Sequence, residues 1–147
     1  MAATEEKLAA TEARLGFALD PAHRAFLAHA DGWRGFLTGA DLFSSDELGD
    51  TAAQAALELM VSVWPDEMLE EAGLHRGALF PIAADLEIDC LFVMQHRDGS
   101  AQPHVAWFYD GVGERYATFE EFFTAMIADN LENIEDARRY AIEDGLA

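Results

Sequence analysis

The chain has 147 residues, 51% of them hydrophobic, with 28 acidic against 9 basic side chains and a formal charge of −19. A chain of this size buries roughly 70% of its unfolded surface, so one domain can fold without metal or disulfide. The surplus of carboxylates argues against binding DNA, RNA or anionic membranes, which such a surface repels, and it attracts cationic partners.

Cys90 is the only cysteine, so no intrachain disulfide forms, which fits a reducing compartment. The opening residues MAATEEKLAATEARLG hold neither a basic start nor an apolar stretch, against a secretory signal. No apolar run approaches the eighteen or so residues of a membrane helix, and the expected location is cytoplasmic. Thr4 is placed to cap a first helix, with Glu5 and Glu6 in its opening turn and Gly16 after Leu15 to end it. Asp20 and Pro21 then form the N-cap and first position of a second helix, which lays Ala22, Phe26, Leu27 and Ala30 on one side. Asp31-Gly32 closes it. LFSSDEL, with Ser44 and Glu47 three apart, carries a capping-box pattern for a short helical turn. A longer helix is predicted from about Thr51 to Trp64. Pro65 interrupts it, and DEMLEEAG makes a further short helix ending at Gly73.

Beyond Gly73 the texture changes to strands. ALFPIA is short and apolar, with Pro81 pointing to an edge or bulge. IDCLFVMQ (Ile88 to Gln95) is continuous rather than alternating, the mark of a buried strand. HRDGSAQP turns the chain at Asp98-Gly99, HVAWFYD returns it, GVGE turns again and RYA begins a last strand. Thr118 and Glu121 form a second capping box, opening a helix through Phe122, Phe123, Met126 and Ile127. The order, helices, then an antiparallel run of strands, then helices, predicts an α+β fold. Residues 1–147 form one domain, and 128–147 are a C-terminal helical extension.

Catalytic signatures are missing: P-loop, GxGxxG, GxSxG and HExxH do not occur. One thiol cannot build a structural zinc site. His23 and His29, six apart on a helix, diverge by roughly 120° and are expected to be exposed or partly packed side chains. His96 and His104 flank the hairpin loop around Asp98 and offer at most an adventitious metal pair or a remote hydrolase candidate. Asp85, Glu87 and Asp89 alternate like a calcium loop. No glycine follows, however, and Leu86 and Ile88 intervene, so a turn rich in acceptors is expected. No cofactor is implied. Trp33, Trp64 and Trp107 are expected to anchor core or interface.

Several of these segments, in order, resemble the SUKH superfamily. LGFALDPAHRAFLAHADGW looks like its opening signature and LFSSDEL like the segment that follows. LFPIAADLEIDCLFVM is similar to its strand pair around an aspartate, and WFYDGVGERYATFEEFFTAMI to its last strand and C-terminal helix. The resemblance implies an α+β domain with a mixed, mostly antiparallel sheet packed by N-terminal and C-terminal helices, and with no shared catalytic residues. It also implies a protein-binding role: as a bacterial immunity protein that neutralises a toxin or, alternatively, as an intracellular regulator or scaffold binding an endogenous partner. Together with the charge, it directs attention to a basic toxin such as a nuclease. The candidate contacts are Asp66, Glu67, Glu70 and Glu71, with Trp33 as an aromatic anchor.

Overall fold

A computed structural model describes residues 2–37, 39–129 and 139. The expected extension over 128–147 lies outside the described residues, apart from 128, 129 and Arg139. Two helices open the chain. In α1 (Glu5–Leu15) Thr4 accepts from the Lys7 N–H at 3.2 Å, and Gly16, at φ 85°, donates to the Glu12 carbonyl. In α2 (Pro21–Ala30) the Asp20 carboxylate accepts from the Ala22 and His23 N–H groups. The paired strands β1 (Trp33–Leu37) and β2 (Ala40–Leu42) follow, and no sequence pattern announced them. Then come α3 (Thr51–Ser62) and α4 (Asp66–Glu71), separated by Pro65. The remaining strands are β3 (Leu79–Asp85), β4 (Cys90–Arg97), β5 (Ser100–Ala101), β6 (Val105–Phe108) and β7 (Val112–Tyr116). A helix over residues 119–129, α5, opens on the predicted capping box. Thr118 accepts from the Glu121 N–H, and the Glu121 carboxylate accepts from the Ala117 N–H.

The strand order is β1-β2-β3-β4-β6-β7, with β5 paired to β4 and every strand pair antiparallel. A parallel bridge between Ala18 and Ser100 ties the α1–α2 link to the β4–β5 turn. Pro81 marks a bulge. Register slips between Pro81 and Ala83, and the freed Ile82 carbonyl accepts from the Phe43 N–H, just past the end of β2.

The first six residues of β3 and of β4 are all buried, so both faces of the sheet must be covered. Ring contacts show by what. Phe92 meets Phe36 and Phe122, and Phe80 and His96 meet Phe17, which puts α5 and the α1–α2 pair on one face. Phe108, whose partner Leu91 points opposite to Phe92, meets Trp64 at 4.9 Å, which puts the end of α3 on the other. The result is an α+β fold of three layers.

His23 departs from its expected exposure. It is fully buried, stacked on Phe119 at 4.8 Å, and both ring nitrogens lack a hydrogen-bond partner. Helical spacing separated it from His29, but the neighbouring α5 covers the face on which it lies. Burial pushes its pKa down to about 4 from 6.5. The unfolded chain therefore takes up the proton first, and the neutral ring's contribution is complete above pH 6.5 and lost as pH falls toward 4. Urea unfolding of His23→Leu beside the native chain checks this. The native chain should lose about 2 kcal/mol more than the variant between about pH 7 and pH 5. Parallel pH profiles would show that His23 is not buried neutral.

Candidate functional site

The fold keeps His96 and His104 apart. Gln95 and His96 are adjacent on β4 and so point to opposite faces. His96 stacks on Phe17 at 4.4 Å, whereas His104 meets Gln95 at 3.0 Å, so these two histidines do not converge. Among the described residues no group of three or more histidine, cysteine or carboxylate side chains could hold a metal ion. Asp85, Glu87 and Asp89 occupy the β3–β4 turn, where Asp85 accepts from the Glu87 N–H and Asp89 adopts φ 51°. Cys90 is buried and receives the Trp107 indole N–H at 3.1 Å. Burial pushes its thiol pKa up, away from the reactive thiolate.

The residues singled out as partner contacts fall in two places. Asp66, Glu67, Glu70 and Glu71 are all exposed on α4, while Leu69 between them seats the helix in the core. Arg76 bridges this region: its guanidinium donates to Asp66 at 2.9 and 3.0 Å and to the carbonyls of Val61 and Trp64 at the end of α3. Arg115 on β7 donates to the Glu71 carbonyl. Trp33 lies elsewhere. It starts β1, at the other end of the strand order, half-buried against Phe36 and Phe123.

The cations explain why so much negative charge faces outward. Lys7 pairs with Asp31 and Asp46, Arg24 with Glu5 and Glu12, Arg34 with Asp41 and Glu47, Arg76 with Asp66, and Arg97 with Asp98. Arg14 donates to the carbonyls of Ser45 and Leu48. Each of these, like Arg115, is engaged within the fold, and most join segments distant in sequence. Glu67, Glu70, Glu87, Asp89 and Asp110 have no ion-pair partner among the described residues.

A second feature adjoins α4. The β3–β4 and β6–β7 turns emerge at the same end of the sheet, where two shallow clefts of about 370 and 400 Å³ share Ile88 and Tyr109 as a common wall. One cleft is floored by Trp107 and Cys90, and the other by Met60, Val63 and Trp64, immediately before Pro65 and α4. The turn geometry holds these walls in place. Gly39 approaches the Asp85 carboxylate so closely that a Cβ would lie 2.5 Å from an oxygen, and Asp110 takes φ 53°.

A model of the SMI1 / KNR4 family (SUKH-1) matches residues 2–125. The chain belongs to this family. No curated protein and no solved structure matches it. Membership makes the SUKH-1 domain consistent with a protein-binding, immunity-type module. No helix among the described residues is long and apolar enough to cross a membrane.

Ile88 and Tyr109 escaped the reading of the sequence because each was assigned to a strand. The strands of this SUKH-1 domain start at Cys90 and stop at Phe108, which leaves both side chains in turns at 54% and 55% exposure. The signal was present in the alternation of acid and aliphatic from Asp85 to Asp89, which a buried turn does not need. Arg76→Met is expected to cost about 1–2 kcal/mol in thermal unfolding, because three acceptors, Asp66 and the carbonyls of Val61 and Trp64, lose their shared donor group. Glu67→Gln should change stability by less than about 0.5 kcal/mol. Equal effects would mean that Arg76 does not join α3 to α4.

Proposed function

We propose that this SUKH-1 domain is a non-enzymatic protein-binding module of the immunity type, which neutralises a basic toxin by covering its active cleft. The observation that carries the reading is the exposed, unpaired acid on α4 and at the adjoining end of the sheet. Among the described residues Arg76 reaches Asp66 and Arg115 reaches the Glu71 carbonyl, but Glu67, Glu70, Glu87, Asp89 and Asp110 form no ion pair. A nuclease fits the description of the toxin, because a cleft that holds phosphate must be basic. An acidic inhibitor is steered toward such a cleft and held there by the same field. The family supports the class of function, and the charge supports the choice of partner.

Affinity capture with the full chain from its native cell is expected to return one basic protein, bound at nanomolar strength or tighter and released by raising salt. A regulatory or scaffold module would return several partners, bound weakly and insensitive to salt. The role of α4 is tested separately with Glu67, Glu70 and Glu71 each changed to Lys. Asp66 is left in place because it holds Arg76. Association with the captured protein should slow by about tenfold or more at low ionic strength, with the difference closing as salt is added. An unchanged association rate removes α4 from the interface.

A further inference from the structure

Six large hydrophobic side chains are exposed among the described residues: Leu59, Val63, Leu86, Ile88, Tyr109 and Ile127. Single exposed hydrophobics are ordinary on any protein surface. Three of them come together here. Val63, Ile88 and Tyr109 line one cleft, while Leu86, on the same β3–β4 turn as Ile88, lines a separate one, and Leu59 lies one helical turn before Val63, the C-cap of α3. Val63 is 79% exposed although α3 has a core-facing side made by Ala53, Leu57 and Val61. An apolar cleft wall exposed at the end of a sheet is the kind of surface that meets another molecule.

The rim of this patch identifies the occupant. Asp85 lines the first cleft, Asp89 and Asp110 line the second, and Glu87 sits in the turn between Leu86 and Ile88. None of the four pairs with a cation among the described residues. Trp64 in the second cleft continues through Pro65 into α4, so the α4 acids follow that cleft directly in sequence. A second copy of this chain would bring the same carboxylates face to face, and residues 130–147 carry more acids than bases, so charge disfavours both as the cover. We infer that the Ile88–Tyr109 ridge and its two clefts are the anchor point for a cationic protein segment that inserts an apolar side chain flanked by lysines or arginines. The inference rests on the protein-binding reading above and places the centre of contact at the sheet end, with α4 as its border. An apolar centre inside a charged rim is also the usual anatomy of an interface, in which the centre supplies most of the affinity.

The probe is a short synthetic peptide with one leucine between lysine pairs, titrated into the full chain and followed by amide and indole NMR shifts. Shifts are expected at Ile88, Asp89, Tyr109, Gly111 and the Trp107 indole. A peptide with alanine in place of leucine should bind about tenfold more weakly, the worth of one partly buried aliphatic side chain. Two variants separate the contributions. Tyr109→Ser removes the apolar wall, and Asp89→Asn with Asp110→Asn removes charge while keeping a residue that tolerates positive φ. Each should weaken binding by about tenfold with an unchanged fold in the same spectra. Equal affinity for the leucine and alanine peptides, shifts confined to residues 66–71, or no shifts at millimolar peptide would each overturn the assignment. If the captured basic protein still binds under any of those outcomes, only this anchor fails. If no basic protein is captured while the peptide behaves as described, the anchor stands and the toxin reading fails.

Discussion

The structure depends on how few cations the chain has and where each one is used. Arg24 joins α1 to α2, Arg34 holds β1 to β2 and the turn after it, Arg14 ties α1 to that same turn, and Arg76 locks α3 to α4. Exposed pairs of this kind add little stability singly. Their consequence is different here: with most of the bases committed to joints between segments, Glu67 and Glu70 on α4 and Glu87, Asp89 and Asp110 in the turns at the sheet end have no ion-pair partner among the described residues. A field of one sign results, and it is directed outward.

Burial settles where that field can be used. Helices and the α1–α2 pair cover both faces of the sheet, so β3 and β4 offer no free face to a partner. The end of the sheet, where Ile88 and Tyr109 stand clear of the strands, and the outer side of α4 are open, as are parts of the edge strands β1 and β7. Covering both faces of a sheet leaves its turns as the accessible backbone. The turns here hold positive-φ aspartates at 89 and 110, which place charge beside the apolar side chains of Ile88 and Tyr109.

Much of this fold was legible in the residues. Thr4, Asp20 and Thr118 cap helices as their spacing implied, Pro81 sits at a bulge, and the unbroken apolar run of β4 is the buried strand it resembled. The β1–β2 pair was not legible, because Trp33-Arg34-Gly35-Phe36-Leu37 has no clean alternation and Gly35 adopts φ 66°. His23 was misread because periodicity describes one helix, while its burial comes from α5, distant in sequence. The acids of α4 were visible as a charge run. That they adjoin an apolar ridge formed by two hairpin turns is tertiary information, since residues 63, 88 and 109 meet only when the sheet assembles.

The central claim, that negative charge outside the internal ion pairs is uncompensated in the folded chain, has a direct measurement in the thermal midpoint as sodium chloride rises from about 10 mM to 500 mM. Screening weakens both internal attraction and surface repulsion, so the sign reports which dominates. The midpoint should climb steadily across this range as the outward carboxylates cease to repel one another. A falling midpoint would mean that the ion pairs outweigh the surplus, and the outward field would lose its physical basis.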